Sequence, residues 1–312
     1  MGTNNKIKLV ALTIVMIVQI SFIHAQQDPL FSKYMFNPLF VNPAYAGSRE
    51  TVSSVLIYRV QWVGFDGAPT TQTFSTHSPL AKKKMGVGVS VIRDQIGPSV
   101  THGILGAYAY RLKMLDGKLS LALRAAMYNY SFNWDEIDFK ENESALLAGR
   151  SNYWVPSFDF GARFHNRNLY AGLTLSHLNQ PSINTSSTAD TANNQHKLIP
   201  HAILIGGYAY KVRHGLVLKP SFLINTSQSL VTTADINFSA LFDQVLWIGA
   251  SYRTSKTIVT MVQYDINEHI SAGYSYDITL GKLRNYNSGS HEIFFRYEFH
   301  FRKSKVLSPR YF

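Results

Sequence analysis

The sequence predicts an all-β protein, a transmembrane antiparallel up-and-down β-barrel of about fourteen strands with short periplasmic turns and longer extracellular loops. Three observations predict it. Apolar and polar residues alternate with period 2 over most of the chain, the mark of a strand with two different faces. The connections between the strands are short at every even position, while the long ones fall at odd positions. The polarity of the faces suits a barrel in lipid rather than one in water, with apolar and aromatic residues outside and polar residues lining the inside.

The first segment reads as an address. Lys6 and Lys8 precede an apolar stretch from Leu9 to Ile23, and small Ala25 ends it. This is the pattern of a secretory signal peptide over residues 1–25. Residues 26–49 form a leader whose Asn37-Pro38 and Asn42-Pro43 pairs favour turns and extended chain, and with Gly47 make it a poor strand and a poor helix. A flexible leader, a periplasmic strap for a partner and a plug entering the lumen all remain open for it. Tyr34 and Phe36 are its candidate partner contacts.

Strand segments follow at approximately 51–61, 69–77, 85–93, 99–112, 117–130, 154–165, 168–177, 200–211, 215–225, 232–242, 245–253, 257–265, 269–279 and 290–302. A tilted membrane strand needs about 9–11 residues, and most of these segments reach that length. The last is the clearest. Ile293, Phe295, Tyr297, Phe299 and Phe301 share one face, and Glu292, Arg296, Glu298, His300 and Arg302 share the other, with Phe294 out of pattern. In the segment before it, Ile270, Ala272, Tyr274, Tyr276 and Ile278 oppose Ser271, Gly273, Ser275, Asp277 and Thr279. The polar face of 290–302, joined by Arg253, Arg124 and Arg163, is a candidate lumenal charge network. It reads either as paired charges or as a polar track for a solute or a cargo segment. Tyr128, Tyr130, Trp134, Trp154, Tyr170 and Tyr264 are candidates for the aromatic girdles at the lipid boundaries.

The connections at Leu115-Asp116-Gly117, Asn166-Arg167, Arg213-His214-Gly215, Asp243-Gln244 and Asn267-Glu268 are short and even-numbered. Those at roughly 131–153 and 178–199 are long, fifth and seventh in order. Lys82, Lys83 and Lys84 occupy an expected periplasmic turn and suit phospholipid headgroups or an acidic partner. Trp134 and Phe139 lie in an acidic, aromatic loop that is a candidate partner contact. The barrel is expected to end at residue 302, followed by a tail over 303–312 that carries Tyr311 and Phe312 as further candidates.

Composition excludes several classes. The chain has 312 residues and no cysteine, so a disulfide framework, a thiolate metal site and a cysteine nucleophile are ruled out. Only 16% of residues are charged while aromatics reach 13%, which argues against disorder. A formal charge of +11 is compatible with nucleic-acid binding, but export and the strand pattern argue against it. No His-Glu-x-x-His, Gly-x-Ser-x-Gly or phosphate-binding glycine loop occurs, so no catalytic residue, metal or cofactor is expected. A hydrolase assembled from neighbouring strands, using His177 with Ser176 or His269 with Ser271, is the remaining enzymatic alternative.

An ordered series of motifs adds a resemblance. It begins with Gln27-Asp28-Pro29, Phe31-Ser32-Lys33-Tyr34-Met35-Phe36-Asn37-Pro38 and Asn42-Pro43-Ala44-Tyr45-Ala46-Gly47-Ser48. It continues through Asp94-Gln95-Ile96-Gly97-Pro98, Gly117-Lys118-Leu119-Ser120-Leu121, His177-Leu178-Asn179-Gln180-Pro181 and Gly273-Tyr274-Ser275-Tyr276-Asp277 to Ser308-Pro309-Arg310-Tyr311-Phe312. The chain resembles the PorP/SprF family of type IX secretion system outer-membrane proteins over essentially all of residues 26–312. The resemblance implies a non-enzymatic barrel in outer-membrane lipid that supports secretion or surface anchoring of cargo with a type IX C-terminal domain, including gliding-motility adhesins. It also implies contacts with periplasmic ring and peptidoglycan-binding components. A passive channel for small solutes is the alternative expectation.

Overall fold

The computed structural model describes residues 34–49, 51–80, 84–136, 149–184, 195–227 and 232–299. The signal peptide, the tail over 303–312 and the candidates Lys82, Lys83, Phe139, His300, Arg302, Tyr311 and Phe312 lie outside the described residues.

The first half of the sheet comprises β1 (Val52–Val60), β2 (Thr70–Pro79), β3 (Met85–Ile96), β4 (Ser99–Met114), β5 (Gly117–Asn133), β6 (Arg150–His165) and β7 (Leu169–Ser176). A small hairpin, β8 (Ser182–Asn184) with β9 (Gln195–Lys197), stands in the connection after β7. The second half comprises β10 (His201–Tyr208), β11 (Tyr210–Arg213), β12 (Leu216–Ser227), β13 (Thr232–Phe242), β14 (Leu246–Arg253), β15 (Thr257–Asp265), β16 (Ile270–Thr279) and β17 (Ser290–Phe299). β10 and β11 are one stave interrupted at Ala209, whose N–H turns to the Asn168 carbonyl. The barrel therefore has fourteen staves, and all of them pair antiparallel.

Two pairings close the sheet. β1 pairs with β17 from Val52↔Phe299 to Val60↔His291. β10 bridges β7 and β12, with Ile205 opposite Gly172 on one side and Leu223 on the other. Closure satisfies the backbone N–H and C=O groups that an open edge would strand in lipid.

The side chains alternate as lipid requires. On β17, Glu292, Phe294, Arg296 and Glu298 are buried, while Ile293, Phe295, Tyr297 and Phe299 are 56%, 45%, 44% and 49% exposed. On β5, Leu121, Leu123 and Met127 face out, and Ala122, Arg124 and Ala126 are buried. A soluble sandwich would hide the first set and expose the second. Trp154 and Tyr264 lie on the outer face, at 68% and 52% exposure, as girdle residues should. Tyr170 does not: it is 6% exposed, on the inward parity of β7 with Thr174 and Ser176. Tyr128 and Tyr130 share the inward parity of Arg124 and Ala126, and Tyr128 lies against the His177 ring. Proximity to a strand end suggested the girdle for all three; parity along the strand decides against it.

The turns are short for local reasons. Between β6 and β7 the Asn166 Oδ1 accepts from the N–H groups of Asn168 and Leu169, and between β15 and β16 the Asn267 Oδ1 does the same for His269 and Ile270. Between β13 and β14, Asp243 and Gln244 both take positive φ (46° and 60°), the left-handed pair that suits a two-residue hairpin. At the opposite end, β4, β5 and β6 run to 16, 17 and 16 residues and project toward the long connection between β5 and β6.

The outer face yields a first prediction. Phe295→Arg, near the middle of β17, is expected to destabilise the inserted barrel by about 2–4 kcal/mol. Reversible denaturant unfolding in lipid vesicles measures it, and an unchanged midpoint would contradict the placement of that face in the bilayer.

Candidate functional site

The site is the interior of the barrel, and the leader occupies it. Tyr34, Phe36, Asn37, Leu39, Val41, Asn42, Ala44, Tyr45 and Ala46 are all buried. The two Asn-Pro pairs start helical turns instead of extended chain. Asn37 caps the single turn α1 (Pro38–Val41), its Oδ1 accepting from the Phe40 N–H at 3.3 Å. Asn42 caps a 3₁₀ turn over Pro43–Tyr45, its Oδ1 accepting from the Ala44 N–H at 2.8 Å. Asparagine at the cap followed by proline is compatible with a helix start, so each pair permits a compact turn small enough for the lumen.

Contacts reach the plug from opposite walls. Three arginines on three strands donate to its carbonyls: Arg296 to Phe36 at 2.8 Å, Arg124 to Phe40 at 2.6 Å and Arg111 to Ala46 at 2.7 Å. The Asn37 amide donates to Ser75 Oγ on β2 at 2.8 Å. The Asn42 amide donates to the Ala162 and Leu173 carbonyls of β6 and β7 at 3.1 and 3.2 Å. Tyr34 donates to Asp235 on β13 at 3.5 Å, and Arg49 pairs with Glu298. Phe36 stacks on Phe294 with ring centroids 4.1 Å apart. That stack explains why Phe294 breaks the polar face of β17. Leu39, Val41, Ala44 and Tyr45 pack with inward-facing Ala107, Ala109 and Ala122.

Glycines make room for it. A Cβ on Gly161 would stand 2.5 Å from Asn42 Oδ1, and one on Gly86 would collide with the Ala46 carbonyl. Gly47 takes φ +62° where the leader leaves the lumen, and its N–H donates to His77 Nδ1 at 3.2 Å.

A belt of ion pairs lines the wall from β13 round to β1. Arg59 pairs with Asp277 at 2.7 Å and Glu292 at 3.1 Å, while Arg253 pairs with Asp235 at 3.1 Å and approaches Asp277 at 3.8 Å. On the opposite wall Arg124 pairs with Asp159 at 2.6 Å. The structure thus places Glu292, Arg296, Glu298, Arg253, Arg124 and Arg163 inside the barrel. Sequence reasoning missed Arg59, Asp159, Asp235, Asp277 and Arg49. The parity of each strand was the available signal: Asp277 stood on the polar face of a segment already read.

The remaining candidates lie away from this centre. Trp134 donates its indole N–H to Ser151 Oγ at 2.8 Å and tilts against Phe132, at the loop end of β5 and β6. Lys84 is exposed at the turn end, its carbonyl accepting from the Arg111 N–H. The serine–histidine pairs considered for hydrolysis are not formed as proposed. His177 Nδ1 meets Ser157 Oγ at 2.8 Å instead of Ser176, and Asp159 accepts from the His177 backbone N–H. His269 Nδ1 meets the Glu298 carbonyl at 2.9 Å. Among the described residues no group of His, Asp and Glu is arranged to hold a metal ion.

A family model described as "Type IX secretion system membrane protein PorP/SprF" matches residues 23–297. No curated protein matches. Among solved structures, the Ralstonia pickettii toluene transporter TbuX is similar with a TM-score of 0.50 at 11% identity, covering 84% of this chain and 93% of its own. The CymD monoaromatic hydrocarbon channel (TM-score 0.49, 10% identity, 85% and 93% covered) and a Pseudomonas aeruginosa FadL homologue (0.46, 12%, 88% and 95%) are further similar structures. At such identities the TbuX likeness speaks for the outer-membrane barrel fold alone.

Two outcomes follow from the interior. In this cysteine-free chain, Asn37→Cys with Ser75→Cys is expected to form a disulfide on mild oxidation, read as a reducible gel-mobility shift; free thiols in the folded barrel would contradict the seating of the plug. Arg59→Met leaves Asp277 and Glu292 facing each other in the interior and is expected to cost about 3–5 kcal/mol, whereas removing all three charges together is expected to cost less, both read by denaturant unfolding.

Proposed function

The chain belongs to the PorP/SprF family of type IX secretion system membrane proteins, and from that premise we propose that it acts in the outer membrane as a closed, non-enzymatic barrel that binds partners. The partners are cargo proteins with a type IX C-terminal domain, gliding-motility adhesins among them, and the periplasmic ring and peptidoglycan-binding components of the same system. Its role is to support secretion of that cargo or its anchoring at the cell surface. The signal peptide over residues 1–25 delivers it across the inner membrane, and both barrel ends then serve as docking faces.

The observation that carries this reading is the seated segment of residues 34–49. A solute channel needs a continuous aqueous path, and here the lumen holds buried aromatic and aliphatic side chains tied to several walls. Unseating the segment would break the arginine bonds to its carbonyls and expose its apolar side chains, so the plugged state is favoured. The long loop-end connections offer surface to cargo, and the basic stretch at Lys82, Lys83 and Lys84 offers charge to periplasmic partners.

Planar-bilayer recording of the intact chain is the direct test. Little or no stepwise conductance is expected; steady open-pore conductance would transfer the weight to the solute-channel reading. A pull-down from outer membranes, with a tag in the 185–193 loop, is expected to enrich a large surface protein with a type IX C-terminal domain or the ring components. Reproducible recovery of the barrel alone after crosslinking would count against the binding role.

A further inference from the structure

The arginines inside the barrel differ in what they meet, Arg296 donating to the Phe36 carbonyl and Arg49 pairing with Glu298. Arg59, Arg124 and Arg253 each meet a buried carboxylate. Arg163 does not. Its guanidinium lies 4.1 Å from the centre of the Tyr45 ring, and its Nε and Nη1 have no hydrogen-bond partner although the residue is only 2% exposed. A buried, under-satisfied guanidinium is costly.

Its neighbours share its sign. The register sets Arg111 opposite Ser120 and Ser120 opposite Arg163 across β4, β5 and β6. One row nearer the turn end, Lys113 stands opposite Lys118 and Lys118 opposite His165. All six have the inward parity of Ala109, Ala122 and Asp159 on the same strands. Like charges directly opposite one another destabilise a sheet. Ser120 Oγ and His165 Nδ1 are also buried without a hydrogen-bond partner. The carboxylate in the adjoining turn, Asp116, accepts from the Asn166 amide at 2.7 Å. The result is a cationic track that leads from exposed Lys113 and Lys118 at the rim to Arg163 two residues deeper, about 7 Å along the strand.

We propose that this corner binds the carboxylates of an acidic peptide segment entering from the turn end, and that Tyr45 of the plug is the group such a segment displaces. The spacing favours a chain of carboxylates over a single oxyanion, because one small anion engages one row and leaves the other uncompensated. Phospholipid headgroups lie outside the barrel wall, and these side chains point inward. Tyr45 offers Arg163 a π-face, and Ala46 offers Arg111 a carbonyl; a carboxylate binds a guanidinium more strongly than either. The site deepens the proposed partner-binding role and rests on it for the identification of the ligand as a partner's segment.

The test uses the full chain in detergent with a fluorescein-labelled hexaglutamate probe, read by anisotropy. Arg163→Gln and Lys118→Gln are each expected to weaken binding by about tenfold or more, and Arg167→Gln, on an exposed residue of the adjoining turn, is expected to leave it unchanged. Binding of the probe is also expected to raise maleimide labelling of an Ala44→Cys variant, and Arg163→Gln is expected to abolish that rise. Heat-modifiable gel mobility verifies folding; if Arg163→Gln does not fold, Lys118→Gln, on an exposed side chain, carries the test. Equal binding by the wild-type and Lys118→Gln chains, an equal loss in Arg167→Gln, or displacement of the probe by an equal concentration of inorganic phosphate would each overturn the assignment. Conductance is read separately, so an open pore with intact probe binding would remove the closed-barrel reading and leave the site standing.

Discussion

Closure of the sheet is the constraint on which the other features depend. Lipid offers no partner to an unpaired backbone group, so the β1–β17 and β10–β12 pairings are obligatory rather than merely favourable. Once closed, a ring of fourteen staves encloses more space than its own side chains can fill. Its outer surface must be apolar, and its inner surface inherits the polar residues. Every arginine and aspartate in the ion-pair belt is there because the outer face excluded it.

That surplus space accounts for the leader. Many inward positions are serine, threonine or paired charge, with Ile57, Met261 and Phe294 forming an apolar patch under Phe36, and on β4 and β5 they become Ala107, Ala109 and Ala122, beside Gly86 on β3 and Gly161 on β6. A polar lumen with a small apolar footprint is a complementary surface for the compact turns at Pro38–Val41 and Pro43–Tyr45. The arginine contacts to plug carbonyls do two things at once. They satisfy backbone groups that a non-helical segment leaves open, and they remove exposed cations from the middle of the barrel.

The strands were legible because lipid enforces period 2 so strictly: all fourteen staves stand where alternation put them, and the short turns carry the Asn, Asp and Gly residues that turn chemistry demands. The interior was less legible because it depends on which residues meet across the sheet. Arg59 reads as an ordinary charge in a strand until closure brings Glu292 and Asp277 beside it. Tyr170 reads as a girdle residue until parity turns it inward. The two Asn-Pro pairs carry the same local information whether the leader is extended or coiled, and only the walls around Asn37 and Asn42 select the coiled form. Phe294 was the one visible trace of the plug: an aromatic among charges, with its partner on the far side of the sequence.

The stack of Phe36 on Phe294 and the bond from Arg296 to the Phe36 carbonyl join residues some 260 positions apart. The leader is therefore completed by β17, near the other end of the sequence. Until β17 closes onto β1, the leader has only part of its binding surface, and a chain that stops short of β17 presents neither the stacking ring nor the donating guanidinium. Full seating of the plug therefore requires the closed sheet, because its contacts span β2, β5, β6, β7, β13 and β17 together.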